Sequence, residues 1–242
     1  MERTRERRGT AAKALLALVA LTAVAAHAQL PHRIPPPRIL PPCAQVGQQV
    51  TLTLNTGIAG GLPPPGTADS IWKVLPSITP FSTLPFNAPS LWLPNSANPK
   101  WIQPAPGGNP ASFPVQTYVY STQFATPVDP YLYTSITITG SFAADDTAIV
   151  KLNGIPIATC PGGSTPATWC FHSWHPIPAG VGLSLFNRFP GFLNTLTVEV
   201  KNTLAGSTSG LIVRAQVVAV CSKCTSPVPP PQPPCGGNPS TC

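Results

Sequence analysis

The chain has 242 residues, of which 43% are hydrophobic and only 9% charged, with 34 prolines and seven cysteines. Its formal charge of +7 does not mark a nucleic-acid binder, because part of it lies in the first thirteen residues and the basic side chains beyond them are scattered. So many cysteines in so weakly charged a chain argue against a cytosolic enzyme and for an oxidising compartment.

In chain order, a basic stretch from Met1 to Lys13 precedes an apolar run from Ala14 to Ala26, and Ala26 and Ala28 occupy the small-residue positions of a cleavage site. This is the pattern of a secretory signal peptide cleaved after Ala28. The apolar run is short of the roughly twenty residues that cross a bilayer, and no later segment is long and apolar enough to be a transmembrane segment. A secreted protein is therefore expected, periplasmic, surface-exposed or extracellular. The leader holds five basic and two acidic side chains, so +3 of the charge departs with it. Residues 29–42 form a Pro-rich arm, residues 43–224 one domain, and residues 225–242 a Pro/Cys-rich tail; the arms lack backbone donors and favour extended polyproline conformations. The domain carries seven Lys/Arg against Asp69, Asp129, Asp145, Asp146 and Glu199, a net +2.

Within the domain, period-two alternation predicts strands at 50–54, 115–124, 135–142, 148–153, 155–159, 195–201 and 211–220. Ile136, Ile138 and Phe142 share one face of their strand. Leu196, Val198 and Val200 point inward on theirs, with Glu199 and Lys201 outward. Leu211 to Val220 is apolar on both faces, as a central strand buried on two sides would be. Asn153-Gly154 supplies the two positive-φ positions of a type I′ turn and predicts a hairpin. Residues 84–114 read as a long ordered loop. About eight to ten strands between Pro-rich loops give an all-β fold, an antiparallel β-sandwich or jelly roll.

Retained cysteines in an exported chain usually pair. Cys160 and Cys170 bracket a Gly/Pro-rich stretch and form one expected bridge. Cys43 and Cys221, at the two ends of the domain, form another. Cys221 and Cys224 make a CxxC, read here as structural disulfide chemistry: no thioredoxin-like pattern surrounds it to make a redox motif, and the other close pair, Cys235 and Cys242, lies in the Pro/Gly tail, which disfavours zinc. An odd cysteine remains for a free thiol or a disulfide-linked oligomer.

Ala144 to Ala148, then Val150 to Gly154, then Asn194 to Asn202 together resemble the galactose-binding-like jelly rolls that accompany β-galactosidase-type glycoside hydrolases and occur in many exported bacterial proteins. Asp69 to Trp72 and Trp101-Ile102 look like the opening of such a domain. The resemblance implies a sugar-binding sandwich in which Asp145 and Asp146 lie in a turn, Asn153 and Gly154 make a turn, and Asn194 hydrogen-bonds a loop before its strand. A structural calcium through Asp145 or Asp146 belongs to the family's pattern; the residues themselves call for no cofactor or metal.

Catalysis is not expected. A glycosidase needs two carboxylates facing one cleft, whereas Asp145 and Asp146 would point to opposite faces of a strand, and no Gly-x-Ser-x-Gly elbow exists. Metal binding by His172 and His175 is disfavoured by Pro176 and Pro178, which place both in a loop. Amphipathic rings are the stronger signal, because sugars stack on aromatic faces while polar neighbours hold their hydroxyls. Trp169, His172, Trp174 and His175 lie in or beside the disulfide loop, and Tyr118 and Tyr120 share a strand face; these six are the candidate ligand set, against the alternatives of loop packing and one-sided burial. Trp72 reads as core, and Trp92 and Trp101 as plugs at the sandwich edge or ligand contacts. The function expected is a secreted, non-catalytic module that binds carbohydrate or another cell-surface component. The alternative is a structural or adhesion protein acting through protein contacts.

Overall fold

The structure, a computed structural model, describes residues 37–57, 64–75, 79–82, 91–96, 99–106, 111–126, 132–165, 168–187 and 192–222. The residues read as a signal peptide, most of those read as an N-terminal arm, and Cys224, Cys235 and Cys242 lie outside the described residues. The described residues all belong to one unit, 35–242.

They form strands β1 Arg38–Ile39, β2 Gln49–Thr53, β3 Lys73–Leu75, β4 Phe81–Ser82, β5 Ile102–Gln103, β6 Gln116–Ala125, β7 Tyr133–Asp145, β8 Thr147–Leu152, β9 Ile155–Cys160, β10 His175–Val181, β11 Leu193–Asn202 and β12 Gly210–Cys221. One sheet has the order β1-β6-β11-β8-β9, with β3 also on β6; the other runs β10-β7-β12-β5-β4, with β2 also on β12. The pairings are antiparallel except β1 with β6. This is the expected all-β sandwich. No helix among the described residues is long and apolar enough to cross a membrane.

Alternation places Tyr118, Tyr120 and Phe124 of β6, Val150 and Leu152 of β8, and Leu196, Val198 and Val200 of β11 on the inner face of the first sheet. Val50, Leu52, Ile136, Ile138, Phe142, Val213 and Val217 face them from the second, and all are buried in one cluster. Burying one such side chain contributes about 1.5–3 kcal/mol, so alternation fixes register: slipping any of these strands by one residue would send its whole inward row to solvent.

Both expected disulfides are present. Cys43 bonds Cys221 across a separation of 178 residues, and Cys160 bonds Cys170 across 10. Trp72 is core, as expected, its Nε1 donating to the Leu54 carbonyl at 3.2 Å.

Three expectations are corrected. β10 occupies ground read as a loop, because Pro176 and Pro178 sit on an edge strand, where a missing backbone donor breaks no inner ladder. β5 lies inside the segment read as loop, Ile102 pairing Leu211. β12 is buried on both faces only at its start: Ile212 is covered by Trp92 and Trp101, whereas Arg214 and Gln216 are exposed.

Candidate functional site

The outer face of the second sheet is divided by that cover. Trp92 and Trp101, with ring centroids 4.3 Å apart, lie over Ala143 and Ile212, so they are plugs. Trp101 is fixed by its Nε1 donating to the Leu93 carbonyl at 2.7 Å and its amide donating to Asn95 Oδ1 at 2.8 Å. Beyond the plug the face is open. A groove of about 370 Å³ is lined by Thr53 at the end of β2 and Asn55 beyond it, Thr139 and Gly140 of β7, and Arg214 and Gln216 of β12. The register explains the gathering: Gln216 lies between Thr53 and Thr139, and Arg214 pairs Ser141. Amides, hydroxyls and a guanidinium thus meet on a rigid sheet.

Trp174 borders this groove. It packs on the Trp92–Trp101 cluster, and the Arg214 guanidinium carbon lies 4.4 Å from its ring centroid. Arg214 Nε donates to Ser141 Oγ at 2.5 Å. Asn55 Oδ1 accepts the Ala215 amide at 2.9 Å, so the residue after β2 continues the ladder through its side chain.

The other expected ligand residues separate. Trp169 is partly buried against Phe171, with ring centroids 5.1 Å apart. His172 is exposed. His175 turns toward the interior, its ring 5.8 Å from that of Phe142 and its Nε2 3.3 Å from Cys160 Sγ, and burial lowers its imidazole below the usual range. Tyr118 and Tyr120 are only 2% and 0% exposed and leave the ligand set, because their strand face is the sandwich interior. Burial pushes the Tyr120 phenol well above its ordinary range. Of the six, Trp174 alone borders the groove. Arg214 and Gln216 were missed because their strand reads as apolar; the signal was the two polar residues at alternate positions within it.

Cys160, Cys170 and His175 bring three potential metal-ligand atoms within 4.8 Å of one another. With the sulfurs joined, neither is the thiolate that a metal requires, so the cluster holds no metal in this state.

A second cleft, about 390 Å³, lies between Trp92, Phe171, Asp145, Asp146 and residues 206–208. Asp145 and Asp146 do not diverge to opposite faces, because alternation stops where Asp146 leaves β7 for the bend before β8. Burial, then the hydrogen bond and charge of Asp146, push Asp145 up to about 8, against hydrogen bonds from Thr208 and Trp92. For Asp146 burial acts upward, yet hydrogen bonds from Asp145 and from the Thr203 hydroxyl and amide outweigh it and hold the group below the ordinary value. Asp146 Oδ2 accepts from the Thr203 amide at 2.7 Å and its hydroxyl at 2.5 Å, and Asp145 Oδ2 accepts from Thr208 Oγ1 at 2.8 Å. The pair clasps the β7–β8 corner to the 203–208 loop, a turn role. Asp145 Oδ2 is taken by Thr208 and Asp146 Oδ2 by Thr203, so these oxygens serve the turn as hydrogen-bond acceptors.

The expected turn and loop contacts are also present. Asn153 and Gly154 have φ of 50° and 84°. Asn194 accepts the Asn187 amide at 2.7 Å and donates to the Asn187 carbonyl at 3.1 Å, fixing the loop before β11.

No protein-family model matches the chain, and no curated protein does. Among solved structures it is similar to β-glucuronidase of Ruminococcus gnavus, at 17% identity and a TM-score of 0.33. The same enzyme in complex with uronic isofagomine gives 16% identity and a TM-score of 0.33. The chain spans about 30% of the length of these structures, through 75% of its own.

Proposed function

We propose that this chain is a secreted, non-catalytic binding module of galactose-binding-like fold that recognises carbohydrate on the outer face of its second sheet. The observation that carries the reading is the groove lined by the Arg214 guanidinium, the amides of Asn55 and Gln216 and the hydroxyls of Thr53 and Thr139, with Trp174 holding the guanidinium at its border. Sugars present many hydroxyls, and converging amides, hydroxyls and a fixed guanidinium are the polar partners that hold them. Placement of Thr53, Thr139, Arg214 and Gln216 on paired strands holds them more rigidly than a loop would. Two intramolecular disulfides support an oxidising compartment. The Asn153–Gly154 turn and the Asn194 clasp support the galactose-binding-like assignment.

A non-catalytic role is supported by the acids. No carboxylate lines the groove among the described residues, and Asp145 and Asp146 are bound to each other and to Thr203 and Thr208 instead of facing each other across a substrate.

Retention of the full chain on immobilised polysaccharides and glycan arrays tests this. Binding is expected on at least one glycan, weakened about tenfold by W174A. No retention on any glycan would overturn it in favour of the structural or adhesion reading, in which Cys224, Cys235 and Cys242 tie chains together.

A further inference from the structure

Among the described residues the groove lining contains one cation, Arg214, and no acid. Two contacts hold that guanidinium: the Trp174 ring lies 4.4 Å from its central carbon, and its Nε donates to Ser141 Oγ at 2.5 Å. Neither contact uses the two terminal nitrogens, which make no hydrogen bond or ion pair among the described residues. Arg214 is also the outward residue of a central strand, its backbone paired with Ser141 of β7 and its neighbours Val213 and Ala215 bonded by the amides of Thr56 and Leu54 after β2. A guanidinium fixed in plane and along one edge presents its terminal N–H groups as a fork, and a planar carboxylate matches such a fork with two parallel hydrogen bonds. Holding the side chain beforehand also removes much of the ordering cost that an exposed arginine pays on binding.

Resting on the carbohydrate reading above, we infer that the groove selects carboxylate-bearing sugars, with Arg214 pairing the carboxylate and Trp174 and Ser141 acting as positioning residues for its guanidinium. Thr53, Thr139, Asn55 and Gln216 surround the fork at the spacing of adjacent strands and supply the hydroxyl contacts of the same ring. The carboxylates of this sheet do not compete for the fork, since Asp145 is turned to Thr208 and Asp146 to Thr203.

Affinity electrophoresis of the full chain against polygalacturonate, its carboxyl-reduced neutral counterpart and dextran sulfate tests the inference. Polygalacturonate is expected to bind at least about tenfold more tightly than the reduced polymer and more tightly than the sulfated one, and R214Q is expected to lose about tenfold or more of that affinity. R214K, which keeps the charge without the fork, is expected to restore only part of it, and it serves if R214Q folds poorly. K201Q removes one positive charge on the opposite sheet and is expected to leave binding unchanged. Equal affinity for the reduced polymer, preference for dextran sulfate, or equal losses in R214Q and K201Q would overturn the inference. Retention of neutral glycans alone would overturn it while leaving the carbohydrate reading standing, whereas retention of no polymer would overturn both.

Discussion

Asn153 Nδ2 donates to Asn194 Oδ1 at 2.9 Å, joining the β8–β9 hairpin to the first residues of β11. The same Asn153 donates to the Leu185 carbonyl at 2.7 Å and accepts the Thr195 amide at 2.9 Å, while Asn194 is fully buried and clasps Asn187. Three chain segments therefore share two side chains. N194A would strand the Asn187 amide and the Asn153 donor at once, so a loss of about 2–4 kcal/mol is expected. Urea unfolding checks it. A loss under half a kcal/mol would show that water replaces the network.

Asp69 and Asp145 give the stability a pH dependence. Burial pushes the first up to about 6, despite hydrogen bonds from the amides of Ile71, Trp72 and Gly57, and the second to about 8. Both therefore hold protons in the folded state that the unfolded chain has released, so their contribution is complete below about pH 4 and is lost as pH rises through about 6 and about 8. Asp146 runs the other way, its contribution present above about pH 4 and lost as pH falls through its lowered folded value. Between pH 5 and 9 the melting temperature is expected to fall as pH rises. D145N, neutral at every pH, should flatten the upper part of that slope.

Gly140 lines the groove with φ at +149°, and a Cβ there would meet the Arg214 carbonyl oxygen at 2.2 Å and the Ala215 Cα at 2.7 Å. Both obstacles are backbone, which cannot swing aside. G140A is expected to cost about 2–4 kcal/mol and to spread β7 from β12 where the groove is built. Gly154, with φ at +84° and open space around its missing Cβ, is the comparison: G154A should cost only about 1 kcal/mol, for conformation alone. Equal costs at the two positions would contradict the crowding argument.

Alternation made the long strands legible, because β6, β7, β8, β11 and β12 each bury one row of side chains. The two-residue strands β1, β4 and β5 are too short for any period to appear, and β10 hides behind its prolines. The site was half legible. Trp174 stood out as an amphipathic ring beside a disulfide loop, but nothing local to it names Arg214, which arrives forty residues later on another strand. Tyr118 and Tyr120 share a face correctly read from spacing, and only the packing of the first sheet decides that this face is the interior.

The bond between Cys43 and Cys221 has a mechanical meaning. Their Cα atoms are 5.7 Å apart, so the domain is a closed loop whose two leads emerge side by side. Tension applied between residues upstream of β1 and downstream of β12 would peel the two-residue pairing of β1 and then fall on a covalent link, bypassing the sandwich. Under load in the oxidised state the groove keeps its shape, and reduction would expose β2 and β12 to the pull directly.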